Sequence, residues 1–580
     1  MARRISSRLT ITGKLVAQTP LHVGGYGDSP DTDLPLAQNG KGEWYVAGTS
    51  IAGVLRSWCE KNFSHAKIHN GRPLIKEVFG FQNGDEGQAS FISIEDATVE
   101  SADEVLTEVR DSVGIDRFYG TAAEGAKYDR AVLPRGTCLN FEMHVEIGAK
   151  RESNPKGKSE EDRRGETEQE SKNRKEQTKA IIGCLLNALE DEQIRFGASK
   201  TRGLGRVRLE NIVIKEQSLD SFDILKALND CATLLTIDEL NNDSVKPLAN
   251  ARLEIKIGWR PRLPVMVKAG YDGIGVDMLP LTSGVGKGKL ALCLPGSSIK
   301  GALRSHAERI IRTLLHDCPC TKDKKFNEQI DALPLIEELF GTRGKSKAEG
   351  KSPDENRKCK SSPSSRLGLG ALAVDDCYAE QPINAKQWGG VEVAGVKDDE
   401  SFYGWELWKR LREVDDWRDE FASSKDEDKL PIDEYKKDSR RFRINHHVAI
   451  DRWTGGASEG ALYSVLAPGE IEWEEMHLTL DFDRLRGVEL PALMLLLLVL
   501  RDIAGNRLPF GFATNRGMGE IEVKQISLKG GNLKGELECL NRDGDDWLVL
   551  SEGSFAGLDK GLKSKLEEEW TQWLSSNQLP

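Results

Sequence analysis

The feature that most constrains this chain is that it carries one pattern twice. Residues 116–128 read Asp-Arg-Phe-Tyr-Gly-Thr-Ala-Ala-Glu-Gly-Ala-Lys-Tyr, and residues 451–463 read Asp-Arg-Trp-Thr-Gly-Gly-Ala-Ser-Glu-Gly-Ala-Leu-Tyr. Two further pairs recur in the same order. Residues 47–57 (AGTSIAGVLRS) match 295–305 (PGSSIKGALRS), and 197–205 (GASKTRGLG) match 511–519 (GFATNRGMG). Three matched, ordered segments mean a tandem repeat, so the function of the chain is that of the repeated unit, used twice.

The 580 residues leave room for two or three domains, each with its own core. A net charge of −12 gives no general attraction for polyanions, so any anion site has to be a local patch. The most apolar run, Leu493–Leu500, is too short to span a bilayer and reads as a buried helix. Met1-Ala2-Arg3-Arg4-Ile5 leads directly into a polar alternating stretch rather than a targeting segment. Ten scattered cysteines suit reduced thiols in a cytoplasm better than a disulfide framework. A cytoplasmic protein with no membrane contact is expected.

Periodicity supplies the elements. Leu9, Ile11 and Leu15 alternate with polar residues as a half-buried strand, and so do Leu139, Phe141, Met143 and Val145. Ile51, Val54, Leu55 and Trp58 share one helix face, with a hydroxyl residue expected as its N-cap. Ile181, Ile182, Leu185, Leu186 and Leu189 mark a second helix, followed by the glycine loop and a strand over Val207–Ile214. Strand–helix–strand repeated in this way is the order of a ferredoxin-like α+β unit. The expected layout is a first domain over 1–217 with a disordered polar insertion at about 150–179, and a linker over 218–250. A second domain over 251–530 follows, with a polar insertion at about 341–441 interrupted by a strand ending on Asp375-Asp376, then a C-terminal hairpin and helix over 531–580.

Candidate chemistry is local. In both glycine loops, closely spaced glycines let backbone amides approach a phosphate, and Lys200, Arg202 and Arg516 add charge. The two Ser/Thr-rich helix starts, with Arg56 and Arg304 one turn in, offer a second phosphate site per repeat. His316, Cys318, Cys320 and Cys359, with Cys377 near by in sequence, could hold a structural zinc; free thiols are the alternative. Ser283–Lys289 has the wrong glycine-to-lysine spacing for a phosphate-binding P-loop. His22, His446 and His447 are expected to pack or hydrogen-bond locally.

Taken in order, these segments resemble the RAMP superfamily of CRISPR-associated proteins: the first strand with its glycine pair, the PGSSIKGALRS-type helix start, Phe-Gly, the strand to aspartate, the Asp-Arg-x-x-Gly stretch and the RGxG loop. They are similar in particular to the backbone subunits of type III effector complexes, here as a III-D-like double subunit. The resemblance implies two RRM-like (ferredoxin-like) palms lying along a guide RNA, with a protruding hairpin between guide and target. It implies RNA contacts from Ser50, Arg56, Arg117, Lys200, Arg202, Gly203, Gly205, Ser298, Lys300, Arg304, Arg452, Arg516, Gly517 and Gly519. In that family an aspartate after the first strand is needed to cut target RNA, which points to Asp33, ahead of Pro35. Asp277 is the second candidate, although Pro280 lies one residue further from it. The implied cofactor is a divalent metal, magnesium in the first instance. The implied partners are guide RNA, complementary target RNA and other effector subunits: further backbone subunits, a large polymerase-like subunit and a guide-end-capping subunit. The alternatives are a non-catalytic guide-binding subunit and a metal-independent guide-processing ribonuclease, which would need a histidine base beside a glycine loop.

Overall fold

The computed structural model describes residues 5–25, 32–67, 71–84, 86–100, 107–148, 166–219, 232–315, 326–330, 333–342, 368–394, parts of 407–414, 441–551 and 555–577. The first repeat supplies, in order, β1 (Ile5–Ala17), α1 (Gly48–Asn62), α2 (Leu74–Phe79), β2 (Ile92–Ile94), β3 (Glu108–Ile115), β4 (Ala122–Val132), β5 (Cys138–Gly148), α3 (Glu168–Glu190), β6 (Arg202–Gly203), β7 (Val207–Ser218) and β8 (Thr233–Leu235). The second supplies β9 (Arg252–Pro261), α4 (Gly296–Leu314), α5 (Phe326–Ile330), α6 (Ile336–Phe340), β10 (Leu372–Asp375), β11 (Phe442–Ile450), β12 (Ala457–Pro468), β13 (Met476–Asp481), α7 (Glu489–Ala504), β14 (Ile521–Gly531), β15 (Leu548–Ser551) and α8 (Lys560–Asn577).

The two sheets have the same order. In the first unit it is β8-β7-β1-β5-β2, and in the second β15-β14-β9-β13-β10, with β6 added beyond β10. Within each sheet the four core strands pair antiparallel, the first strand between the last and the third, as a ferredoxin-like βαββαβ unit requires. Register follows the apolar alternation. Ile11 lies opposite Ile214 and Met143, and Ile255 opposite Leu528 and Leu478. The buried faces of α1 (Ile51, Leu55) and α3 (Ile181, Ile182, Leu185, Leu189) close the first core over Leu9, Ile11, Phe141 and Val145. In the second core, α4 brings Ile299 and Leu303, and α7 brings Leu493, Leu496 and Leu500. Helix α7 is apolar on nearly every side because α8 of the tail covers it with Leu562, Leu566 and Trp570.

Several expectations are corrected. The polar stretch before Ile181 is not wholly an unstructured insertion: α3 begins at Glu168, behind a capping box in which Thr167 and Glu170 exchange hydrogen bonds. Burial of its first turns rests on the Arg174–Glu166 ion pair at 2.9 Å, which hydrophobic periodicity does not register. Residues 149–165 lie outside those described. The presumed linker contributes β8 to the first sheet, antiparallel to β7. The region of Asn541–Gly544 is no simple hairpin, since a 3-10 turn over Gly535–Leu540 precedes β15.

The division into units also departs from the repeat boundaries. The first unit takes Met1–Glu108, Ala131–Lys200 and Leu204–Asn250, while the second takes Ala251–Pro580 together with Val109–Arg130 and Thr201–Gly203. The β3–β4 hairpin and the tip of the first glycine loop therefore belong to the second unit. Arg110 of β3 forms a buried ion pair with Asp376 and also donates to Ser283 Oγ at 2.8 Å. Arg117 at the hairpin tip pairs with Glu308 of α4 at 2.6 Å, and Asp116 accepts from Gln329 of α5 at 2.9 Å. Strand β6 pairs parallel with β10, Gly203 opposite Asp375.

The Asp376 carboxylate also accepts from Gly296 N at 2.7 Å and Tyr378 Oη at 3.3 Å. Its removal strands the guanidinium of a buried ion pair. Asp376→Ala should therefore lower stability to urea by about 3–5 kcal/mol. The matching Asp96→Ala, which removes one exposed contact to a helix start, should cost about 1 kcal/mol. Equal losses in the two variants would refute this account.

Candidate nucleic-acid interface and acidic loops

Backbone hydrogen bonds place Asp33 and Asp277 at the same point of two equivalent loops. In the first unit Gly25 N donates to Pro35 O, Ala37 N to Val23 O and Ala131 N to Leu34 O, each at 3.0 Å. In the second unit Ala269 N donates to Leu279 O at 2.9 Å, Leu281 N to Val267 O at 2.7 Å and Leu466 N to Met278 O at 2.9 Å. The loop residues of the two series are offset by one constant number of positions, and that offset carries Asp33 onto Asp277. The sequence places the aspartates one residue out of step only because the proline has moved: Leu36 occupies the place of Pro280.

Asp33 is exposed in its loop. Asp277 is held more closely. Its Oδ2 accepts from Ser464 N at 2.6 Å and from Ser464 Oγ at 2.8 Å, while its own N–H donates to Ser464 Oγ at 3.1 Å. These donors favour the charged form and hold the Asp277 carboxyl below its ordinary range, with the nearby His446 adding to the effect. The constant offset between the hairpins puts Asp129 of the first repeat where Ser464 stands in the second. An aspartate has no hydroxyl to donate, so the repeats differ at this position.

The glycine loops meet their expectation only in part. Gly197, Gly205, Gly511 and Gly519 all have positive φ, but their amides and those beside them serve the fold. Gly205 N donates to Pro20 O at 2.9 Å and Gly519 N to Pro264 O at 2.8 Å. A Cβ at Gly197 would stand 2.1 Å from His22 O, and one at Gly511 2.2 Å from Met266 O. Glycine is needed there for close passage of chain over chain, not to cradle phosphate. Gly203 is likewise enclosed, since a Cβ would stand 2.0 Å from Asp376 Oδ1. Gly517 remains exposed, and a Cβ there would meet nothing within 4 Å.

The helix starts are also occupied. Neither α1 nor α4 has a side-chain cap; their N-caps are Ala47 and Pro295, so the hydroxyl residues fall inside the first turn. The first amide of each is taken by a carboxylate, Gly48 N by Asp96 at 2.8 Å and Gly296 N by Asp376 at 2.7 Å. A carboxylate on the positive helix end offsets its pull on a phosphate. Lys300 is buried, donating to Leu372 O at 2.6 Å and Thr201 Oγ1 at 3.2 Å, and burial pushes its pKa down to about 7, with Arg202 and Arg304 adding to the shift. Arg304 is committed to Glu308, Gly341 O and Ile330 O. Lys300, Arg304 and Arg117 are thus structural groups. Ser50 is exposed and Ser298 half-buried on their first turns, Arg56 pairs with Glu60 at 2.8 Å, and Lys200 is half-buried.

The open basic groups are Arg202, Arg452 and Arg516. Arg516 donates to Tyr463 Oη and lies over the rings of Tyr463 and Phe512, at 5.9 and 5.7 Å. The imidazole of His447 stacks on Tyr463 at 5.1 Å and 17°. A guanidinium among flat rings offers both charge for phosphate and faces for bases, and Tyr463 of this group precedes in sequence the serine that fixes Asp277. The sequence reading missed Tyr463, His447, Phe512 and Ser464 as a group. The visible signal was that the repeated stretch closes on a tyrosine in both copies. The hairpin tips are exposed, Trp453 at 95%.

Of the histidines, His22 is buried and its Nδ1 donates to Ala131 O at 2.7 Å; the matching residue of the second repeat is Met266, which has no proton to exchange. The proposed zinc ligands His316, Cys318, Cys320 and Cys359 lie outside the described residues. Cys377 is in the core, donates to Glu474 O at 3.2 Å, and burial pushes its thiol pKa up. Among the described residues no cluster of three or more His, Cys, Asp or Glu could hold a metal by itself, and no helix is long and apolar enough to cross a membrane.

The fold and the paired loops define a protein made of two ferredoxin-like units. The sequence profile of the RAMP superfamily matches residues 14–208 and again 280–522. This chain belongs to the RAMP superfamily, as a tandem member, and the family sets it among CRISPR-associated RNA-binding proteins. No curated protein matches it.

The depressed Asp277 carboxyl adds stability that is full above the ordinary carboxylate range and lost as pH falls through its folded value. In Ser464→Ala its titration, followed by carboxyl NMR, should move upward. An unmoved titration would mean that Ser464 does not set it.

Proposed function

We propose that this chain is a double backbone subunit of a type III CRISPR ribonucleoprotein. In this reading it binds guide RNA and cleaves paired target RNA at two places, with Asp33 and Asp277 as the catalytic carboxylates. The observation that carries it is the equivalence of the two acidic loops, fixed by three matching backbone hydrogen bonds in each unit. The cluster of Arg516, Tyr463, His447 and Phe512 adds a surface suited to single-stranded or splayed nucleotides.

Each site offers one carboxylate, which fits a divalent ion such as Mg²⁺ that keeps water and phosphate ligands rather than an all-protein cage. Such an ion would neutralise charge on the phosphate being cut. The part of the protein is then to hold the carboxylate in place: Ser464 fixes one oxygen of Asp277 and leaves the other for a ligand. A metal-independent guide-processing activity draws no support from His22, which is buried and tied to the backbone.

In a reconstituted complex, Asp33→Ala should remove one product of target cleavage and Asp277→Ala another, with guide binding kept in both. An unchanged product ladder in the double variant would place the chemistry elsewhere. Guide binding should depend on Arg202 and Arg516 without regard to sequence, because such contacts go to phosphate. Replacing both with alanine should weaken unrelated guides alike, by about tenfold or more. The slope of log affinity on log salt should fall by about 0.7 for each phosphate no longer neutralised. Weakening confined to one guide sequence would contradict this assignment.

A further inference from the structure

The loop that presents Asp277 has little of its own to hold it. Gly270, Gly273 and Gly275 leave its backbone with few steric limits. Between Tyr271 and Val276 only Val276 is buried, while Tyr271 and Ile274 are exposed. The Lys268–Asp272 ion pair at 2.9 Å lies at the surface and contributes little.

A short helix in the polar insertion, Ala385–Val393, meets this loop from outside. Ile274 N donates to Glu392 O at 3.2 Å, and Tyr271 Oη donates to Glu392 Oε1 at 2.5 Å. One residue of the helix thus fixes both the main chain and a side chain of the loop. Gly275 passes against the end of the same helix: a Cβ there would stand 2.6 Å from Ala394 O and 3.4 Å from Leu407. Gly275 does not have positive φ, so close passage, not backbone conformation, requires glycine at this point.

The helix is itself firmly seated. Ile383 and Asn384 pair antiparallel with Leu290 and Lys289, and Asn384 caps the helix by accepting from Lys386 N at 2.9 Å. Trp388 is fully buried and packs on Phe442 at the start of β11, with ring centroids 5.5 Å apart. Arg441, also buried, donates to Gln381 O at 3.0 Å and Val414 O at 3.2 Å, which ties the insertion to the base of the β11–β12 hairpin. That hairpin carries Ser464. Ser464 therefore holds the carboxylate of Asp277, and the helix holds the loop that leads to it. The first repeat has only residues 97–107 between Asp96 and its hairpin, against 377–441 in the second, which leaves no room for such a helix.

We infer that the helix Ala385–Val393 is a brace that positions the Asp277 loop, with Glu392 and Tyr271 as positioning residues of the second site alone. Its effect on cutting rests on Asp277 being a catalytic carboxylate; its effect on the order of the loop does not.

The test uses the full chain in the reconstituted complex and reads both hydrogen exchange and target cleavage. Tyr271→Phe, Glu392→Ala and Gly275→Ala should each speed amide exchange over residues 270–278 about tenfold or more and leave β9 unchanged. Each should slow the cut assigned to Asp277 by about ten- to a hundredfold at saturating target, with target affinity and the other cut kept. Glu392→Gln, which keeps an oxygen for Tyr271 Oη, should retain most of the rate. Combining Tyr271→Phe with Glu392→Ala should add little to either alone, because both remove the same bond. Unaltered exchange in all three variants overturns the brace. Faster exchange with an unaltered cut, where Asp277→Ala abolishes that cut, overturns the part in cutting and leaves Asp277 as the catalytic group. If Asp277→Ala leaves the cut intact, the catalytic reading fails and the part in cutting with it, while exchange still decides whether the helix holds the loop.

Discussion

The carboxylate of Asp376 is the point on which the second unit depends. It sits at the end of β10, fully buried, and accepts from the guanidinium of Arg110, the first amide of α4 and the hydroxyl of Tyr378. A buried charge is tolerable only when its lone pairs are filled in good geometry. Filling them here fixes the start of a helix, the end of a strand and a hairpin whose sequence lies 266 residues away. Asp96 has the same backbone task in the first unit but stays in solvent, so it fixes less.

Much of the architecture was legible because it is written in repeats and periods. Leu9, Ile11 and Leu15 alternate as they must on a half-buried strand, and the all-apolar face of Leu493–Leu500 requires cover on both sides, which the tail helix gives. What was not legible depended on partners distant in sequence. Nothing near Arg110 says that it will be buried against Asp376. The first turns of α3 looked unstructured because their burial uses an Arg–Glu pair in place of apolar residues, although Thr167 and Glu170 spelled a capping box. The glycine loops and helix starts looked like anion sites because free amides and satisfied amides read alike in a sequence. Asp277 was harder to align than Asp33 because the eye follows proline, while the backbone follows hydrogen bonds.

The two acidic loops show how duplication separates what it first made equal. The main chain around them is the same, but Ser464 grips Asp277 through three hydrogen bonds, and Asp129 stands at that position in the first repeat. His22 and Met266 differ in the same way, a polar group tied to the backbone in one copy and an apolar one in the other. The scaffold is held constant by glycines with positive φ and close chain passage, and the side chains above it are free to diverge.

The assignment of Val109–Arg130 to the second unit bears on the order in which the chain can mature on the ribosome. Translation proceeds at about 5–20 residues per second. The 266 residues between Arg110 and Asp376 therefore impose a wait of roughly 13–53 seconds. Throughout that interval the hairpin has left the exit tunnel without the surface that covers Arg110, and a two-stranded hairpin alone is at best marginally stable in water. The nascent chain must therefore carry an incomplete arm, with Arg110 and Arg117 still in solvent, long after the strands on either side of it have emerged.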